Sequence, residues 1–133
     1  MRMMMMMIGM SVLLLFGCNT HHSSDNLQLN NGAKWKVNAE MKPHIEKGNE
    51  ILSAYKAQQS TQYDELAQQL KSQNDMLIGS CTMQGESHDE LHKWLHPHME
   101  LIQKLADAKD PKVAEVIVGQ IEQSFQTYQN YFE

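Results

Sequence analysis

Six residues of this chain carry metal-binding side chains at positions a helical fold can bring together: Met41, His44, Cys81, Met83, His88 and His92. Thiolate, thioether and imidazole are soft to borderline ligands. They suit Cu(I) or, with less sulfur, Cu(II) or Zn(II). An all-oxygen calcium or magnesium site has no counterpart in the sequence. The densest stretch is SCTMQGESHDELHKWLHPHME, residues 80–100, with one cysteine, two methionines and four histidines. Its spacing matches no zinc finger. The chain has no Cys-x-x-Cys-His, which excludes covalently attached c-type haem.

Four residues apart, His88 and His92 share one flank of a helix, where two imidazoles can meet one ion. His98 behaves differently. On a wheel at about 100° per residue it falls about 20° from Leu91, among Leu95, Ile102 and Leu105, and is expected in the core. His96, just ahead of Pro97, is expected in solvent. Each residue also has a plainer reading. A lone buried cysteine acts as a small apolar residue, and Met41 and Met99 fill space. His44 packs at the edge of an apolar stripe, and Pro97 can kink its helix. A non-covalent haem could use His98 with His44 or a methionine. Their levels differ, however: His98 lies about ten residues, some 15 Å of rise, into its helix, and His44 about one turn into its own.

Four amphipathic helices must position these groups. The first begins after Asn38 or near Pro43 and lines up Met41, Ile45, Gly48, Leu52 and Tyr55. The second starts near Thr61, with Asp64 three residues on, carries Leu66, Leu70, Leu77 and Ile78, and can end at Gly79. The third starts at Ser87, with Glu90 completing a capping box, and buries Leu91, Leu95, Ile102 and Leu105. The fourth starts at Asp110-Pro111 and runs through Val113, Ile117, Ile121, Phe125 and Tyr128. No strand-like alternation or solenoid-length repeat competes.

The expected fold class is all-α, an antiparallel up-down four-helix bundle over residues 37–133. In that topology the start of the first helix, the end of the second, the start of the third and the end of the fourth share one pole. Topology, more than any motif, thus gathers the six candidate ligands. Tyr128, Tyr131, Phe132 and Trp35 would wall the same end.

The chain opens MRMMMMMIGMSVLLLFGC. Arg2 precedes an uncharged run over 3–16, too short to span a membrane comfortably and fitting the core of a secretion signal. Leu15-Phe16-Gly17-Cys18 resembles a bacterial lipobox. The resemblance implies a signal peptide over 1–17, cleavage before Cys18 and lipid on its thiol. It also implies a membrane anchor on the cell envelope, with Asn19 favouring the periplasmic side of the outer membrane in a Gram-negative cell. The polar run NTHHSSDNLQLNNG then reads as part of a flexible tether over 18–36, with His21 and His22 in solvent.

Seven of the eleven methionines leave with the signal, so methionine abundance is no copper signature. Arg2 leaves too, so ten basic residues face sixteen acidic ones. An acidic chain without a basic patch argues against nucleic acid. Lipid on Cys18 would leave Cys81 without a partner in an oxidising compartment, to pair between chains, bind metal, react or lie buried. The stretch 81–97, with KWKVNAEM at 34–41, resembles small bacterial periplasmic or lipid-anchored helical proteins of uncharacterised type. That resemblance implies a compact helical domain and no particular activity.

Three functions follow as expectations. One is a lipid-anchored binder of copper, with zinc as the alternative, serving metal resistance, storage or delivery. Another is a metal-free envelope adaptor that presents helical faces to a protein partner. The third is the haem-binding bundle. Enzymatic activity is not expected, because there is no Gly-rich phosphate loop and no nucleophile elbow. Cys81 with a nearby histidine would make a thiol–imidazole pair, but no oxyanion-stabilising group accompanies it.

Overall fold

The computed structural model describes residues 27–133; the expected signal peptide, Cys18 and the first part of the tether lie outside the described residues. The helices are α1 (Lys42–Ala57), α2 (Tyr63–Gly79), α3 (Glu86–Asp107) and α4 (Pro111–Tyr131). No strand forms among the described residues, only two isolated bridges. Each helix packs on its neighbour in sequence, and a thinner α1–α4 contact closes the ring. This is the all-α four-helix bundle that the apolar spacing predicts. None of these helices is long and apolar enough to cross a membrane.

The apolar stripes meet as the helical period dictates. Met41, Leu52, Leu70, Leu77, Leu91, Leu105, Ile121 and Phe132 are almost inaccessible, and His98 is buried among them. On the thin α1–α4 side, Gly48 lets the helices approach. A Cβ there would sit 3.1 Å from Cζ of Phe125. An ion pair between Lys56 and Glu122 joins the same two helices. Gly119, in α4, faces open space.

These two glycines should respond oppositely to alanine. Gly119→Ala should raise stability by about 0.5–1 kcal/mol through lower backbone entropy in the unfolded chain. Gly48→Ala should lower it by about 1 kcal/mol. Phe125 is buried and already packs edge-on against His98, so its ring has little room to yield. Urea midpoints of the two variants read the sign directly.

Helix starts match expectation at α4 and depart from it at α3. Asp110 accepts from the Lys112 N–H at 2.8 Å, with Pro111 in the first turn. At α3 the expected Ser87–Glu90 capping box does not form. The helix starts at Glu86 behind Gly85, whose φ of 72° suits glycine, and no side chain caps it. Ser87 Oγ donates to the Gln84 carbonyl instead, at 3.4 Å. Glu90 is diverted to the Gln28 N–H at 3.1 Å and to Lys93 Nζ at 2.5 Å. Burial pushes the Glu90 carboxyl up, but Lys93 and the Gln28 N–H together hold it below its ordinary value.

Residues 27–36, which the sequence assigns to the tether, pack on the bundle instead. Leu27 is buried. Asn30 and Ala33 exchange backbone hydrogen bonds of 2.9 and 3.0 Å across a tight turn. Asn31 and Gly32 in that turn have φ of 51° and 88°. Trp35 Nε1 donates to the Gln28 carbonyl at 2.6 Å. The chain then pairs in parallel with its own end. Trp35 N–H donates to Tyr131 O (2.8 Å), Glu133 N–H to Trp35 O (2.9 Å) and Val37 N–H to Glu133 O (2.8 Å). Composition hides this segment because its order comes from backbone pairing and two apolar anchors, Leu27 and Trp35, not from a periodic stripe.

Phe132 secures that clasp. It is 2% exposed and stacks on Tyr128 with ring centroids 5.3 Å apart. Phe132→Ala should cost about 3–5 kcal/mol, typical of a buried aromatic. Amide exchange should report early loss of protection at Trp35 and Val37.

Candidate functional site

The shared pole expected from topology is present. Asn38 stitches the start of α1 to the end of α2: its Nδ2 donates to Ser80 O at 2.9 Å, and its Oδ1 accepts from the Thr82 N–H at 3.2 Å. His44 Nε2 lies 3.2 Å from Ser80 Oγ. That hydroxyl donates to the Met76 carbonyl at 2.8 Å. Its proton is therefore taken, so the ring N–H donates to the serine oxygen. The pair is the reverse of an activated serine nucleophile.

The six candidate ligands nevertheless do not form one cage. Met41 is fully buried in the core. Cys81 and Met83 are half-buried and pack against the same core from the loop before α3. Cys81 is the one cysteine among the described residues and is unpaired. His44 is taken by Ser80. Among the described residues, no three or more His, Cys, Asp or Glu side chains come together as a group that could hold a metal ion. All three sulfur-bearing side chains pack on the core.

The histidines of α3 do come together, as a ladder. His88 Nε2 lies 2.9 Å from His92 Nε2, and His92 Nδ1 lies 3.0 Å from His96 Nε2. Ring centroids are 4.2 and 5.0 Å apart, each pair tilted by 58°. His92 is the shared member and uses its two ring nitrogens on opposite neighbours. Those nitrogens diverge, which is why three histidines in contact do not converge on one point. His88 Nδ1 also sits 4.0 Å from a carboxylate oxygen of Asp89.

Burial lowers the pKa of His92, and the charges of His88 and His96 push it further the same way; Asp89 opposes them. The central ring is thereby biased toward its neutral form, the form that offers a lone pair. Two nitrogens each about 2.0–2.1 Å from one ion in adjacent positions stand roughly 3 Å apart. Both ladder contacts already have that separation, so small ring rotations would turn either into a chelate.

The expected ligand set contains His88 and His92 but not His96. His96 is exposed, as expected, yet it contacts His92. The missed signal was the second i,i+4 interval. Each such step turns only about 40° around the helix, so successive rings stay within reach even as they drift toward solvent.

His98 has the expected core position. It stacks on Trp94 at 4.7 Å and meets the edge of Phe125 at 4.7 Å. Its Nδ1 lies 2.8 Å from Ser124 Oγ, and Trp94 Nε1 donates to the Ser124 carbonyl at 2.7 Å. Its Nε2 is buried with no hydrogen-bond partner. Burial pulls its pKa down to about 3. A haem iron at Nε2 would require a planar macrocycle inside a packed core, and His44 is engaged by Ser80 at the pole. These residues do not fit a haem.

No known protein family matches this chain, and neither the curated proteins nor the solved structures contain a match to it.

Proposed function

We propose that this chain is a lipid-anchored cell-envelope protein that binds a borderline divalent metal through the α3 histidine ladder. Cu(II) is the first choice and Zn(II) the second, and the role is metal resistance, storage or delivery. One observation carries the reading: two pairs of imidazole nitrogens at chelating separation, 2.9 and 3.0 Å, with His92 common to both. Cys81, Met83 and Met41 suit Cu(I), but Met41 is fully buried and Cys81 and Met83 pack on the core, which supports nitrogen as the donor. Nitrogen ligation and the ordering of divalent affinities then favour Cu(II) over Zn(II). Attachment to the envelope rests on the lipobox-like Leu15-Phe16-Gly17-Cys18.

The test is calorimetric titration of Cu(II) and of Zn(II) into the chain from Asn19 onward, with a competing chelator. One ion per chain is expected, and Cys81→Ser should bind as the wild type does. Loss of binding in Cys81→Ser, or scatter below half an ion per chain, would sink the imidazole reading. Membrane fractionation of full-length protein tests the anchor separately, because Cys18→Ser should release it to the soluble fraction.

A further inference from the structure

Past the ladder, on the same flank of α3, helices α2 and α3 part to leave a groove of about 350 Å³. Its walls include Ala67 from α2 and Met99, Ile102 and Ala106 from α3. Ala67 is buried at the floor, and exposed Ala106 offers only a methyl group where a longer side chain would fill volume.

Asn74 lines the same groove and is only 8% exposed. Its carboxamide makes no hydrogen bond to any described residue. Three of the five other polar side chains that line the groove are already engaged. Lys71 Nζ pairs with Asp75 at 3.1 Å, and Gln103 Nε2 donates to Asp107 at 3.1 Å. A carboxamide offers two N–H donors and one carbonyl acceptor. A buried polar group beside apolar walls, with exposed polar side chains at the rim, suits a small-molecule site.

We propose that this groove binds a small neutral amphiphile, its apolar body against Ala67, Met99 and Ile102 and an amide-type head on Asn74. An amide head returns a donor for the Asn74 carbonyl and an acceptor for its N–H, a two-point match. A carboxylate head would lack the donor and would face Glu100 at the rim, where Asp75 and Lys71 already offset each other. The site uses none of the three ladder histidines, so it stands or falls apart from the metal reading.

Octanamide and octanoate, which share a chain and differ in head group, are the probes. Each is titrated into isotope-labelled protein from Asn19 onward while amide resonances are followed. Octanamide should give saturable shifts confined to residues 67–75 and 99–106, and octanoate should bind at least tenfold more weakly. Asn74→Leu, close in shape but without the amide, should weaken octanamide tenfold or more. Ala106→Leu, at an exposed position that tolerates the change, should block the groove by bulk. The proposal is overturned by absence of saturation, by preference for octanoate, or by unchanged binding in Ala106→Leu. Unchanged binding in a folded Asn74→Leu also overturns it. A groove that holds only water gives the first of these results.

Discussion

His92→Ala should remove Cu(II) binding, weakening it about a hundredfold or more, whereas His88→Ala and His96→Ala should each weaken it only a few-fold. The asymmetry follows from the ladder. His92 belongs to both chelating pairs, so losing it leaves two isolated imidazoles about two turns apart. Losing either neighbour leaves one intact pair. The second ligand of a pair acts intramolecularly, and such coupling commonly multiplies affinity by about 10²–10⁴. Stoichiometry follows as well. A neutral imidazole has one nitrogen lone pair to give, so His92 cannot serve two ions at once unless it loses its remaining proton. One ion per chain should therefore bind even with excess metal. His96 is exposed and His88 and His92 are only half-buried, and alanine favours helix, so melting should change little. Equal losses in all three variants would mean a convergent site and would contradict the ladder geometry.

The second large effect concerns His98 and acid. In the folded chain its pKa lies at about 3, pulled down by burial, against an ordinary value of 6.5. Above 6.5 the ring is neutral in both states, and the core is fully stable in this respect. Below 6.5 the unfolded chain takes up a proton that the folded core refuses. Stability then falls by about 1.4 kcal/mol per pH unit until the folded value is reached. Between pH 8 and pH 5 this one group should cost roughly 2 kcal/mol by the same relation. His98→Leu should erase that portion of the pH dependence while the shared contribution of the carboxylates persists. In that variant the freed Ser124 hydroxyl can turn to a carbonyl of its own helix. Urea unfolding of both proteins at pH 8 and pH 5 gives the comparison, and parallel pH profiles would show that His98 plays no part.

The bundle was legible because its apolar residues recur at helical spacing. Leu91, Leu95, His98, Ile102 and Leu105 announce a single buried stripe, and the structure buries all five. The shared pole was legible because short loops force an up-down order. The ligand cage was not, because residue type and shared location do not fix which way a side chain turns. Met41 turns into the core, and Cys81 and Met83 lie along it. The capping box failed because Glu90 found a better partner 62 residues away, in Gln28. No local pattern encodes that competition. The Asn74 groove was also invisible, since it is lined by residues of two different helices and no local pattern encodes how they meet.

The pairing of Trp35 and Val37 with residues 131–133 also bears on the order of folding. It closes nearly the whole described chain into one loop, and such contacts bear the largest closure entropy. Helices paired through short connections can form before it, so the clasp belongs after the rate-limiting step. Weakening it through Phe132→Ala should therefore speed unfolding and leave the refolding rate nearly unchanged. The segment that a reader of composition would discard as tether thus sets how long the folded state lasts, not how fast it is reached.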